Sequence, residues 1–337
     1  MPLNELWFVL IAVLFTGFFF LEGFDFGVGM ATLLLPRSDG EKRILINSIG
    51  PFWDANEVWL ITAAGAMFAA FPHWYATLFS GYYVLLTFLL LALIFRGVAF
   101  EFRGKVDKQS WRKMWDAAIV IGSAVPPLLF GLLFASMIKG VPIGPDMEMT
   151  AGFTDIVNGY SIAGGVTLVG LCLLHGFTFI TLRVEGEMRV QARRWAERLL
   201  PIVAGLLALF TGWTFVVTDL FEHRGNMLLP LVILGSIVCV LAAIFLRKGR
   251  EGWAFGMTGS LIVLTFVSMF VGLAPRLMVS SIQSAYALTI QNAASSEYTL
   301  KVMTVVAAAL LPFVLAYQAW SYFIFHKRIT NKDHLEY

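Results

Sequence analysis

Long apolar runs alternate with short segments marked by charged residues, proline or glycine along almost the whole chain. A helix that crosses a bilayer needs about 20 mostly apolar residues. The runs reach that length, so they predict an all-α integral membrane protein with nine spans in a single membrane domain, 1–337. The predicted spans are 6–35, 51–71, 76–102, 114–138, 159–182, 199–221, 227–246, 253–274 and 302–325.

Lysine and arginine are distributed unequally between the two sides of this predicted bundle. If the N-terminus is outside, the inner segments carry 19 of the 24 basic residues, the outer segments carry 4, and Arg96 lies within a span. Inner loops of membrane proteins are enriched in Lys and Arg, so we expect the N-terminus outside and the C-terminus in the cytoplasm. The longest outer segment, 275–301, then predicts an ordered loop or a short surface helix.

Composition narrows the classes of function. Hydrophobic residues make up 58% of the chain, and the net charge of +2 is too small to indicate a nucleic-acid partner.

Cys172 and Cys239 lie in apolar runs and are expected to pack as small hydrophobes. His175 is the one histidine well inside a span, so this chain alone cannot supply a bis-histidine haem site. A single-histidine haem stays open, but a packing role for His175 is favoured.

Seven ionisable side chains fall within the first four predicted spans. Each costs about 2.5–3.5 kcal/mol there unless it finds a partner or a wet cavity. The alternating direction of the spans places six of them in the cytoplasmic half and Glu22 nearest mid-depth. The i, i+3 spacings within the set put two pairs of acids each on one helical face. The seven are Glu22, Asp25, Asp54, Glu57, Arg96, Glu101 and Asp116.

Carboxylates clustered near one side of a bundle favour a proton-conducting path, because they take up and release protons without large movements. Arg96, the cation within a span, is the predicted ion-pair partner of these acids. The alternative for each acid is structural, as a helix-end group that reaches the interface or as a buried partner of Arg96. This alternative weighs most for Glu101 and Asp116, which lie four residues from Lys105 and Arg112.

Four stretches carry long, specific motifs, namely LEGFDFGVGM at 21–30, KRILINSIGPFWDANEVWLITAAGAMFAAFP at 42–72, MWDAAIVIGSAVPPLLFG at 114–131 and YTLKVMTVVAAALLP at 298–312. They closely resemble subunit II of the cytochrome bd-type quinol:oxygen oxidoreductases. The resemblance covers nearly the whole chain and implies nine transmembrane helices, arranged as two four-helix bundles plus one peripheral helix, with the N-terminus outside. It also implies a terminal oxidase of a bacterial or archaeal cytoplasmic membrane that reduces oxygen to water with electrons from quinol.

The same resemblance implies a division of labour between two subunits. The b-type and d-type haems and the quinol-oxidising loop belong to a partner, subunit I, so this chain would hold no catalytic residue, metal or cofactor. It would stabilise subunit I and contribute a cytoplasmic proton-uptake path at the subunit boundary, with Asp25 and Asp54 among its members. Trp53 is implied in assembly or haem integrity. Glu101 and Asp116 match acidic positions of the family, with Glu101 where some members have aspartate.

Further partners and other functions stay open at this point. Membrane lipids and quinol are expected partners, and a small single-span accessory subunit is compatible with the resemblance. A structurally bound quinone or lipid is compatible too, although no residue pattern indicates one. The alternatives are a proton-coupled secondary transporter and a purely structural membrane subunit. Transporters often contain inverted repeats and paired broken helices, which the sequence does not clearly show, but the sequence barely distinguishes the structural alternative.

Overall fold

The computed structural model describes residues 1–329, and within them the apolar runs form long helices. An antiparallel ribbon pairs β1 (Arg276–Met278) with β2 (Leu288–Thr289). The last part of the predicted cytoplasmic tail, including Lys332, lies outside the described residues. The helices are α1 (Leu3–Ala31), α2 (Asp39–Ile49), α3 (Trp53–Ala70), α4 (Pro72–Gly81), α5 (Tyr83–Phe102), α6 (Gln109–Lys139), α7 (Phe153–Ile156), α8 (Gly159–Arg183), α9 (Gly186–Val217), α10 (Leu220–Arg247), α11 (Glu251–Leu273) and α12 (Glu297–Ile324).

Eight helices in the described part of the chain are long and apolar enough to cross a membrane, namely α1, α5, α6 and α8 to α12. The prediction of an all-helical integral membrane protein is therefore confirmed. Helix α3 coincides with the predicted span 51–71 but is not among the eight. Asp54, Asn56 and Glu57 lie near its start and lower its mean hydropathy. The ninth span stays a prediction.

The start of the predicted span 76–102 is wrong in detail. It falls inside the separate short helix α4, and the backbone leaves helical geometry at Tyr82 before α5 begins. Proline suits the first position of a helix, so Pro72 favours a new start there. The buried Tyr82 hydroxyl lies 2.9 Å from Oγ of Ser136 in α6, and this contact holds the junction against the neighbouring helix.

The segment 275–301 lies at the end of the bundle that the sequence predicts to be outside, and the two ends are called outer and inner after that prediction. The segment is ordered and is not a surface α-helix. It forms the β1–β2 ribbon with a 3-10 turn, Ser284–Tyr286, between the strands. Leu277 and Met278 of β1 and Leu288 of β2 are buried. The ribbon is ordered because its apolar side chains pack on the outer end of the bundle.

Helix α1 lies at the centre, packed against α3, α6, α8 and α11. Aromatic rings fill the space around it. Phe19 stacks on Phe266 of α11 with 4.2 Å between ring centroids, and Phe130 of α6 meets Phe19 edge-on at 5.2 Å. Such aromatic pairs stabilise by about 0.5–1.5 kcal/mol each beyond the area they bury. The phenylalanines of α1 therefore form part of an apolar core, and the acids of the same helix lie beside it.

Helices α1 and α8 approach each other backbone to backbone at Gly27 and Gly176. A Cβ atom added to Gly27 would lie 2.1 Å from the carbonyl oxygen of Cys172 and 2.7 Å from Cα of Gly176. Small residues permit this packing between membrane helices, where lipid is as apolar as a leucine side chain and burial alone drives little association. The contact fixes the inner half of α1 against α8.

Helix α12 lies at the edge of the bundle, and of its 28 residues only Leu300 is buried. Its outer end is attached by hydrogen bonds. Nε1 of Trp7 donates to the carbonyl oxygen of Leu300 at 3.2 Å and to Oγ1 of Thr304 at 3.0 Å. Oγ of Ser295, just before α12, donates to the carbonyl oxygen of Ala69 at 2.7 Å. Further along, a cavity lies between α12, α1 and α11.

Candidate functional site

A fully buried ion pair joins α1 to α5. Nη1 of Arg96 donates a hydrogen bond to Oε1 of Glu22, and both side chains are 0% exposed. The guanidinium also lies over the rings of Phe26 and Phe100, at 4.8 and 5.3 Å from their centroids. Each buried charge loses several kcal/mol of hydration, so neither would be stable here without the other. The structure thus places Arg96 where the sequence predicted a partner for the acids.

Two further carboxyl groups lie beside this pair. Oε2 of Glu57 in α3 is 3.9 Å from Nη1 of Arg96, and its side chain is 21% exposed. Asp25 is fully buried, and its Oδ2 accepts a hydrogen bond from Nδ2 of Asn56 at 2.7 Å. If all three carboxyl groups were ionised, one guanidinium would face three negative charges in a site of low dielectric constant. That is costly, so the cluster is suited to hold at least one proton.

Asn56 connects the acid cluster to α12. Its Oδ1 accepts hydrogen bonds from the hydroxyl of Tyr322 at 2.8 Å and from Nε2 of Gln318 at 3.3 Å. Oε1 of Gln318 accepts in turn from Nε1 of Trp59 at 2.9 Å. Because its oxygen faces two donors, Asn56 must point its NH₂ group at Asp25. A continuous chain of hydrogen bonds therefore leads from Asp25 to the inner face of α12.

That chain ends at a cavity of about 990 Å³ between α1, α11 and α12. Most of its wall is apolar. Trp59, Gln318 and Tyr322 supply polar groups near the inner end, and Glu5 and Arg224 do so near the outer end. A second cavity of about 530 Å³ lies among α6, α8, α9, α10 and α11. Only the larger cavity reaches the polar network around Asn56.

Asp54 and Glu101 lie outside the buried cluster. Asp54 is exposed on α3, two residues from Asn56 and hence on another face, so Asn56 rather than Asp54 meets Asp25. Glu101 is exposed at the inner end of α5. Neither carboxylate forms an ion pair with any residue in the range 1–329. Both are available to water or to a neighbouring chain at the inner end of the bundle.

Trp53 lies against the cluster without entering it. Its indole packs on Phe100 with 5.2 Å between ring centroids. The Arg96 guanidinium lies over the same Phe100 ring. Trp53 therefore supports the apolar wall that shields the Glu22–Arg96 pair, which is compatible with the implied role in assembly.

Asp116 belongs to a separate ion cluster at the inner end. It accepts hydrogen bonds from Nε of Arg103 at 2.6 Å and from Nζ of Lys42 at 2.9 Å, rather than pairing with Arg112 as its spacing suggested. Arg103 also pairs with Asp39. Burial raises the pKa of Asp39, but the hydrogen bond and charge of Arg103 outweigh it and hold that pKa below its usual range. The cluster attaches α2 to the α5–α6 turn.

His175 is fully buried, and both of its ring nitrogens face protein groups. Nδ1 lies 2.9 Å from Oγ1 of Thr258, and Nε2 lies 3.2 Å from the carbonyl oxygen of Phe20. The ring stacks on Phe255 with 4.4 Å between centroids. Iron ligation would need one of these nitrogens free, so the contacts favour a packing role. Among the residues described, no group of three or more His, Cys, Asp or Glu side chains could hold a metal ion.

Four members of the polar network, Asn56, Trp59, Gln318 and Tyr322, were not predicted from the sequence. Gln318 and Tyr322 lie four residues apart in an apolar span, which puts both on one helical face and was a usable signal. Asn56 stands between the acids Asp54 and Glu57, so its position was visible but its direction was not. The structure alone shows that Asn56 points inward.

Comparisons with known proteins are consistent over the full length. The family model described as cytochrome bd terminal oxidase subunit II matches residues 3–325. Cytochrome bd ubiquinol oxidase subunit 2 of Bacillus subtilis (strain 168) is 53% identical over 335 residues, which is 99% of each chain. Cytochrome bd-I ubiquinol oxidase subunit 2 of Escherichia coli (strain K12) is 36% identical over 364 residues, covering 98% of this chain and 96% of the relative.

A solved structure shares the fold. The bd oxidase from Geobacillus thermodenitrificans contains a chain that superposes with a TM-score of 0.80, covering 97% of this chain and 100% of that chain. The two sequences are 17% identical, so this similarity concerns the fold alone.

Proposed function

Because the chain belongs to the cytochrome bd terminal oxidase subunit II family, we propose that it is the haem-free partner that stabilises the haem-bearing subunit I and delivers protons to it from the cytoplasm. It is a subunit of a quinol oxidase complex in a membrane. The observation that carries the proposal is the buried cluster of Glu22, Asp25, Glu57 and Arg96. Oxygen reduction and quinol oxidation would take place on subunit I.

The proposed route begins with the exposed acids Asp54 and Glu101 at the inner end. Glu57 lies one turn along α3 from Asp54 and is partly exposed, so it can exchange protons both with the exposed acids and with the buried ones. Glu22 and Asp25, fully buried, form the interior part. A buried carboxyl group beside a fixed arginine can alternate between protonated and ionised forms with little movement, which suits proton transfer.

Asp116 has a weaker place in this route. Its carboxyl group already accepts hydrogen bonds from two cations, Arg103 and Lys42. The structural alternative is favoured for this residue, although its position at the inner end still allows it to attract protons to the entrance.

We expect Asp25→Asn and Asp54→Asn to lower quinol oxidase turnover of the assembled complex by roughly tenfold or more, because each removes a carboxyl group that must take up and release a proton. The haem spectrum should stay intact, since neither change alters the apolar walls. Turnover is measured as oxygen uptake with quinol. Asp107→Asn serves as the matched control, because the Asp107 side chain is 94% exposed in a surface pair with Arg112. Full turnover of both variants in a normally assembled complex would favour the purely structural subunit.

The haem-free assignment has its own test at His175. We expect His175→Gln to leave the haem content of the purified complex unchanged, because glutamine can also hydrogen-bond Thr258 and the Phe20 carbonyl. Haem per complex is measured from the reduced-minus-oxidised spectrum. Loss of one haem with the subunits still associated would contradict the assignment, and so would a stoichiometric haem in the isolated subunit.

We also propose the topology predicted from the sequence, with α3 as the ninth span, the N-terminus outside and the C-terminus in the cytoplasm of a bacterial or archaeal cell. The basic residues of the inner segments support it. The sparse burial of α12 supports its place as the peripheral helix. Exposed apolar side chains on α3 and α5, such as Ile61, Phe88 and Phe95, are available to subunit I, lipid or a single-span accessory subunit.

The larger cavity fits the proposed structural quinone or lipid. Its apolar walls suit a hydrocarbon tail, and the Trp59, Gln318 and Tyr322 groups can hydrogen-bond a polar head. Extraction of the purified complex and mass spectrometry would identify the molecule.

The transporter alternative predicts proton movement coupled to a solute without the partner, and the complete family match does not favour it.

A further inference from the structure

Several contacts hold the chain just after α12, and one of them comes from a buried arginine of another helix. Arg183, the last residue of α8, is 6% exposed. Its Nη1 donates hydrogen bonds to the carbonyl oxygens of Phe325 and Lys327, the latter at 2.6 Å. The carbonyl groups at the end of a helix lack intrahelical partners, so a cationic donor there is stabilising. Arg183 therefore anchors the chain just after α12 to the end of α8.

The same guanidinium contacts a stack of aromatic rings. It lies over the ring of Phe52 at 5.4 Å from the centroid. Phe52 stacks in parallel on Tyr322, with 4.4 Å between centroids and 6° between planes. Phe325 meets the edge of Phe52 at 6.2 Å. Arg183 thus touches both the backbone after α12 and the ring platform on which Tyr322 rests.

Tyr322 is the link from this platform to the acid cluster. Its hydroxyl donates to Oδ1 of Asn56 at 2.8 Å, and Nδ2 of Asn56 donates to Asp25 at 2.7 Å. Since most of α12 is unburied, the position of Tyr322 depends on contacts at the inner end of the helix. Arg183 supplies the hydrogen bonds nearest the end of the helix, and Arg328 adds bonds to the Leu182 carbonyl and to Glu251 a few residues later. A displacement of the inner end of α12 would therefore move Tyr322 away from Asn56 and release the amide that faces Asp25.

We propose that Arg183 is a positioning residue for the proton route: by anchoring the inner end of α12 and the Phe52–Tyr322 stack, it holds Tyr322 against Asn56 and so fixes the hydrogen bond from Asn56 to Asp25. This inference rests on the proposed proton route only for its effect on turnover. Its structural part, the attachment of α12, stands independently of that route.

The test compares Arg183→Ala with Tyr322→Phe in the purified two-subunit complex. Losing one hydrogen bond of the network should lower turnover roughly two- to tenfold in either variant. The pH optimum of turnover should shift in the same direction and by the same amount in both. The double variant should be no slower than either single variant, because both changes break the same link. Arg183→Lys should recover part of the rate, since its ammonium can donate to both carbonyl groups.

Arg37→Ala is the matched control. Arg37 pairs with Glu187 at 3.2 Å, and both side chains are about two-thirds exposed. It should keep the wild-type rate and pH optimum. If Arg183→Ala prevents assembly, Phe52→Leu removes the ring platform and leaves the anchor in place, and it should give the same pH shift.

Hydrogen–deuterium exchange separates the two layers of the proposal. Arg183→Ala should speed exchange in residues 318–329, whereas Asp25→Asn should not. If exchange is faster in Arg183→Ala but the Asp25→Asn complex is fully active, the attachment of α12 by Arg183 is supported and the proton route is overturned. Unchanged exchange in Arg183→Ala, or rate losses that add with those of Tyr322→Phe, would overturn the positioning role.

Discussion

Replacing Arg96 with methionine is expected to abolish or severely reduce assembly of the complex. The change leaves Glu22 fully buried without its cation, and breaking one partner of a buried pair costs about 3–5 kcal/mol. Asp25 and Glu57 also lose the only guanidinium that the described residues place beside them. The measurement is the thermal stability of the solubilised complex, followed through its haem absorbance.

A compensating variant makes this expectation specific. Arg96→Met combined with Glu22→Leu removes both charges, and replacing a buried pair by apolar side chains of similar size is often neutral or stabilising. We therefore expect the double variant to regain much of the lost stability while turnover stays low. Arg37→Met is the control, because Arg37 and its partner Glu187 are about two-thirds exposed and such pairs contribute little. A stable Arg96→Met complex would contradict the assignment of the pair as buried and mutually dependent.

Gly27→Ala is expected to have the second large effect. Its methyl group would lie 2.1 Å from the carbonyl oxygen of Cys172, a backbone atom that cannot rotate away. Overpacking of a well-filled core costs about 1–3 kcal/mol and more where the backbone must shift. Separation of α1 from α8 would also move Asp25, two residues away. We expect a lower melting temperature and reduced turnover in the fraction that assembles.

Gly205→Ala in α9 provides the matched control, since no atom lies within 4 Å of an added Cβ there. Alanine is favoured over glycine inside a helix by about 1 kcal/mol, so this variant should be as stable as the wild type or slightly more so. Equal melting temperatures for Gly27→Ala and Gly205→Ala would show that α1 and α8 do not pack as closely as described.

The candidate site was only partly predictable from its residues. Glu22, Asp25, Glu57 and Arg96 were singled out because a charge in an apolar span needs a partner, and the structure brings all four together. Asp54 and Glu101 satisfied the same criterion but lie exposed. The difference is rotational: successive residues of a helix turn by about 100°, so the direction of each side chain depends on where neighbouring helices lie.

The membrane class and the approximate positions of the eight long apolar helices in the described residues follow from the apolar runs, because transfer of apolar residues into lipid acts on each segment separately. The ninth span and the orientation stay predictions from hydropathy and from the bias of basic loops. The folded structure adds the contacts between helices: Glu22 meets Arg96, Asn56 turns toward Asp25, and Arg183 reaches the end of α12 from α8. These contacts join residues far apart in the chain. Their geometry follows from how closely helices approach, as at Gly27 and Gly176, and no local pattern encodes that distance.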